Sequence, residues 1–325
     1  MGTTIKAQRV WKWEIAIYLY LAGMGAGSFV FGIGTLWAFG PSARVTVFGF
    51  PIDAASLALL WGPVLVAVGA PFLILDLGIK RRFLYACLNP GSSWVARGFA
   101  ILSSFIVLGG IVFLVSVLFP EIPPRIPTLW GALKILSVLL ALGTAIYTGI
   151  LLKSVKYIPI WNSPLLPVLF LASALSTGSM AVILSEMGTS LLLPRGGGTF
   201  FLLSQRALPL EQVLVLIEAV ILALYLYSRY RAKDQGEASV RLLLSGRLRS
   251  LFWGGIVLIG FVFPLLLEYT YSCCPDYPVL LFTTGLLLLC GGFFLRLGVL
   301  ASGVKETVPM KRLVEMKLNI SAFKR

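Results

Sequence analysis

The chain has 325 residues, 58% of them hydrophobic and only 12% charged, about half the charged fraction of a soluble domain, which excludes a water-soluble globule. Its net charge of +14 comes without a single histidine, so a bundle carrying b-type haem on its usual axial ligand is excluded as well. The basic residues lie in short loops between apolar runs, where they set topology and meet anionic lipid rather than nucleic acid.

The first apolar run opens with "WKWEIAIYLYLAGMGAGSF", Trp11 to Phe29. It is too long for a signal-peptide core and no small-residue cleavage site follows, so it reads as a first span. Runs of about 20 apolar residues can cross the hydrocarbon core. They recur at 14–38, 54–76, 97–119, 129–152, 164–187, 210–230, 250–271 and 279–300. Turn-forming stretches separate them: "GPSAR", "NPGSS", "PEIPPRIP", "NSP", "LPRGGGTF" and "CCPDYP". The stretch 188–209 reads as a loop lying along the membrane surface.

These runs predict an all-α integral membrane protein with eight transmembrane helices in two four-helix bundles. A basic flank, 1–13, precedes a first half, 14–153; a second half, 154–300, precedes a basic tail, 301–325. The motif "W-x8-YLAGMGAGS" from Trp11 resembles "W-x8-FLASALSTGS" from Trp161, a weak repeat that fits two parallel halves. An even span count puts both termini on one side, side A. Of the 27 lysines and arginines, only Arg44, Arg125, Lys134, Arg195 and Arg206 fall on side B, and Arg296 is counted with side A. The positive-inside rule then makes side A cytoplasmic.

Metal chemistry finds little support. Cys87, Cys273, Cys274 and Cys290 form no CxxC pair and have no histidine beside them. "RGGGT", Arg195 to Thr199, lacks the Gly-Lys-Ser/Thr of a phosphate loop.

Polar groups within spans are costly, and each is a candidate site. Near side A stand Glu14 and Tyr18, four apart on one helix face, with Tyr20 beside them. Asp76 closes the second span with Lys80 four residues on. Tyr147 lies about 9 Å below the side-A end of the fourth span, and Trp161 and Asn162 open the fifth. Taken singly, each has an ordinary explanation: interfacial aromatics, a topological Asp76–Lys80 pair, a solvated Glu14 beside Lys12. Their convergence at one depth sets them apart. Toward side B, Glu186, Glu218 and Glu268 read either as a proton relay or as neutral structural carboxyls. Gly23 and Gly27 have the GxxxG spacing of close helix packing.

Four segments together resemble the NrfD/PsrC family of membrane subunits: the opening run above, "LILDLGIKRRFLYACLNPGSSW", "YTGILLKSVKYIPIWNSPLLPVLFLASALSTGS" and "LIEAVILALYLYS". They occur in order across residues 11–270. The resemblance implies a haem-free, metal-free anchor in the cytoplasmic membrane of a bacterium or archaeon that binds menaquinone or ubiquinone. It implies a four-cluster iron–sulfur partner and a molybdopterin catalytic subunit. The implied quinone site lies among the first four spans, with Glu14, Tyr18, Asp76, Tyr147 and Asn162 as its residues. Protons would pass through Asp76, Lys80, Glu186, Glu218 and Glu268. Tyr18 stands where some relatives carry histidine, and a phenol donates a hydrogen bond well but relays protons poorly. Family members expose the quinone end outward, against the charge rule, which is reconciled if the basic face docks an acidic partner. A secondary transporter is the alternative, and a purely structural anchor a third reading.

Overall fold

A computed structural model of the chain describes residues 11, 13–39, 45–47, 50–52, 54–76, 94–192, 197–232, 234–273 and 277–305. Helix α1 (Trp13–Phe39) is followed by a hairpin of β1 (Val45–Val47) and β2 (Phe50–Ile52), then α2 (Ala54–Asp76) and α3 (Trp94–Leu118). A single turn, α4 (Ile122–Arg125), leads into α5 (Pro127–Lys153), and α6 (Leu165–Leu192) and α7 (Gly197–Arg231) come next. The chain then forms α8 (Gln235–Leu244), α9 (Leu251–Val262), α10 (Phe263–Cys273) and α11 (Pro278–Ala301). Among the described residues eight helical segments are long and apolar enough to cross a membrane, α9 and α10 making one span between them.

The expected spans match these segments to within a few residues, and the differences lie at their ends. The 188–209 stretch is not a surface loop where it is described: α6 runs to Leu192 and α7 begins at Gly197. Glycines at 197 and 198 favour a break, but the apolar neighbours that follow favour continuing the helix in lipid. Helix α8 lies outside the expected spans. Its start is legible as Asp234 followed by Glu237, a capping-box spacing. The Asp234 carboxylate accepts from the Gly236 N–H at 2.6 Å, and Glu237 pairs with Arg241 at 2.7 Å. Span α9–α10 is wound with wide π-type turns up to Phe263, whose N–H bonds the Leu258 carbonyl. Pro264 follows at once; it lacks an N–H and crowds the preceding turn, and a widened helix accommodates that.

Lipid removes the hydrophobic drive between helices, so close packing has to hold the bundle. Helices α1 and α6 lie at its centre: 78% and 67% of their span residues are buried, against 28% for α3 and for α9–α10. Helix α1 touches α2, α5, α6 and α11. It reaches α6 because Gly27 lies directly on the Ala174 carbonyl and Gly178 directly on the Gly27 backbone. Buried hydroxyls bond back to their own helices, as Ser28 does to Met24 O (2.8 Å) and Thr144 to Leu140 O (2.9 Å). That leaves them satisfied without water.

The two repeated motifs pack against each other. Trp11 stacks on Trp161 with ring centres 5.2 Å apart and planes 19° from parallel. Gly27 and Gly178 abut. The turn between α5 and α6 is clamped from the other helices. Trp161 Nε1 donates to Val299 O (2.9 Å), Tyr225 Oη to Ile160 O (2.7 Å) and Arg229 to Pro159 O (3.1 Å).

Candidate functional site

Two buried phenols lie near side A, on α1 and α5. Tyr18 projects from α1 and is 0% exposed; Tyr147 projects from α5 and is 3% exposed. They are close enough to interact electrostatically. The hydroxyl end of the Tyr147 ring lies directly against Gly98 of α3, where any β-carbon would overlap it. Gly69 of α2 sits beside the Tyr18 carbonyl. The missing side chain of Gly98 thus opens the space that the Tyr147 phenol occupies, while Gly69 lets α2 approach the backbone of α1.

The Tyr18 hydroxyl has no hydrogen-bond partner among the described residues, and neither has the buried Oε2 of Glu14, one turn away on α1. A buried phenol without an acceptor is costly in lipid. Such a group suits a ligand that brings an acceptor oxygen, such as a quinone carbonyl, so the donor set fits a quinone headgroup.

The structure brings Glu14, Tyr18 and Tyr147 together on facing helices. Asp76 ends α2 on the same side, but its side chain, like the whole of Lys80, lies outside the described residues. Asn162 is exposed at the side-A turn, and the bonds it makes are backbone ones: its N–H to Pro159 O (3.1 Å), its carbonyl from Arg229 (3.4 Å). Its neighbour Trp161 locks the turn instead.

Toward side B the carboxyls are deep. Glu186 of α6, Glu218 of α7 and Glu268 of α10 are all buried. Two further charged groups lie inside that the sequence reading does not name as candidates. Glu211 of α7 is 0% exposed and faces Glu268. The available signal is its place seven residues, two turns, before Glu218 on the same face. Arg296, counted among the side-A charges, is also 0% exposed. Its place five residues inside the end of α11 is the corresponding signal. Among the described residues no group of three or more metal-ligating side chains comes together.

Eight apolar spans with phenols, carboxyls and an arginine inside them define a polytopic helix-bundle membrane protein with a built polar interior. The sequence matches the family described as Polysulphide reductase, NrfD, over residues 3–308, and the protein belongs to that family. It is 29% identical over 314 residues to the C chain of polysulfide reductase from Wolinella succinogenes, covering 90% of this protein and 94% of that one. To protein NrfD of Escherichia coli it is 28% identical over 320 residues, covering 90% and 95%. A protein NrfD homolog of Haemophilus influenzae is 26% identical over 274 residues, covering 79% and 82%.

Proposed function

We propose that the protein is the haem-free anchor and quinone-binding subunit of a respiratory oxidoreductase in the cytoplasmic membrane of a bacterium or archaeon. The observation that carries this reading is the facing pair of buried phenols, Tyr18 and Tyr147, in the first four spans of an NrfD-family member. Menaquinone or ubiquinone, when bound, supplies two-electron, two-proton redox chemistry. Tyr18 donates its free hydroxyl to a ligand oxygen, and Tyr147, braced on Gly98, holds the opposite side. Glu14 accepts from the ligand at the mouth. Asp76 and Lys80 carry protons at side A, while Glu186 and Glu268, with Glu218 between the two ends, form a route toward side B.

Electrons go to or come from a partner, read as a four-cluster iron–sulfur subunit joined to a molybdopterin catalytic subunit. That one relative is named as one of the chains of a reductase supports an assembly of several subunits. In the assembled complex, Tyr18→Phe and Tyr147→Phe should each lower kcat/KM for quinol on the order of tenfold, the loss of one hydrogen bond at a reacting group. The partner's activity with a soluble dye should not change. Full quinol activity in both variants places the site elsewhere.

The buried Glu211–Glu268 pair favours a second reading, an ion-translocating transporter. Solute or ion uptake in vesicles by the purified protein without partners would establish it.

A further inference from the structure

Arg296 lies where the two repeated motifs meet. Its Nε donates to Leu19 O of α1 (3.2 Å), and its Nη1 to Ser173 Oγ of α6 (2.8 Å) and Gly292 O of α11 (3.1 Å). Its guanidinium carbon is 5.6 Å from the centre of the Tyr20 ring and 5.4 Å from that of Phe170. In the motif alignment Tyr20 is the counterpart of Phe170, and Gly23 of Ser173. Arginine thus sits between equivalent residues of the two motifs. Gly23 is the smaller of its pair because Nη2 fills the space: a β-carbon there would come within 2.6 Å of it.

A guanidinium stays protonated in a protein, so one buried within a span demands an opposite charge. Glu218, 4% exposed on α7, is the carboxyl whose charge acts on it. The two do not touch directly. Ser173, which accepts from Arg296, is also within reach of Glu218, and Ser176 donates to Glu218 Oε2. The arginine therefore ties α1, α6, α7 and α11 into one junction. Its bond to α1 falls on Leu19, between Tyr18 and Tyr20.

We propose that Arg296 is a positioning residue for the quinone reaction, clamped through Ser173 to Glu218 as its counter-charge, so that α1 presents Tyr18 to Tyr147. This rests on the quinone reading above. Glu218 is then the fixed inner end of the side-B route, and Glu186, Glu211 and Glu268 are its exchanging members.

The test has two arms on the assembled complex. In the first, thermal stability is measured for Arg296→Gln, Glu218→Gln and the double variant. Removing one partner strands a buried charge, so each single variant should melt below the double. Additive losses would overturn the clamp. In the second, Arg296→Lys keeps the charge but not the planar fork that reaches Leu19 and Ser173 together. It should raise the quinol KM about tenfold, for one hydrogen bond lost, with dye-linked activity unchanged. A wild-type KM in Arg296→Lys, where Tyr18→Phe raises KM, overturns the positioning role alone. If Tyr18→Phe and Tyr147→Phe also leave quinol kinetics untouched, the quinone reading falls and the positioning role with it, whatever the stability cycle shows.

Discussion

At the scale of single residues, the site depends on what is missing as much as on what is present. Tyr147 can lie within the bundle because Gly98 has no side chain to meet it, and the contact leaves no slack. Gly98→Ala should therefore displace the phenol and lower quinol turnover as far as Tyr147→Phe does. Gly110 on the same helix faces open space, so Gly110→Ala should leave turnover unchanged; quinol kinetics on the two variants side by side checks both expectations. Tyr18 and Glu14 are legible in the sequence because charge and phenol in an apolar run are conspicuous. Gly98 is not, since one glycine among many carries no mark of the ring it faces. Asn162 is conspicuous because it is polar and sits in a distinctive motif; the structure shows that motif as a turn held by its tryptophan, with Asn162 exposed.

At the scale of elements, hydrophobic length locates every span, because lipid imposes one requirement, some thirty ångströms of apolar helix. Which helices lie inside is less apparent. α1 and α6 are no more apolar than the others and are less so than α3. In a bilayer the most apolar helices face lipid and those rich in small and polar residues face protein. The glycine spacing in α1 signals packing, and the α1–α6 crossing shows what it serves. Gly27→Val would push a branched side chain into the Ala174 backbone, which cannot swing aside. It should cost about 1–3 kcal/mol or more, as overpacking does, read as a lower melting temperature in detergent. Gly34, on the same helix with nothing near it, is the matched control, and Gly34→Val should melt like the parent protein.

At the scale of the whole molecule, two rules disagree about orientation. The loop charges make side A cytoplasmic, and the resemblance makes it extracytoplasmic. Moving Arg296 from the loops to the interior weakens the charge bias only slightly, since most of the side-A bases remain. A basic face that docks an acidic partner reconciles the two. A cysteine placed at Tyr157, exposed on the side-A turn, in a variant free of native cysteines, should then react with an impermeant thiol reagent from outside the cell. Labelling from the cytoplasm instead would mean that the complex faces inward and that the basic face simply follows the positive-inside rule.

Lipid as a solvent makes much of this protein readable from its sequence. Span number, span limits, the excess of base on one side, the absence of histidine and the polar mouth of α1 all follow from composition along one dimension. Tertiary structure alone decides which polar groups meet. Glu211 faces Glu268 across two helices, and Arg296 reaches from α11 to the backbone of α1. Both look like membrane-end charges in a linear reading, because depth along a helix is set by sequence position but direction around it is set by the neighbours. A charge five residues inside a span can rise to the surface or turn inward. Here it turns inward because a glycine on α1, a serine on α6 and a carboxylate on α7 make room for it and balance it.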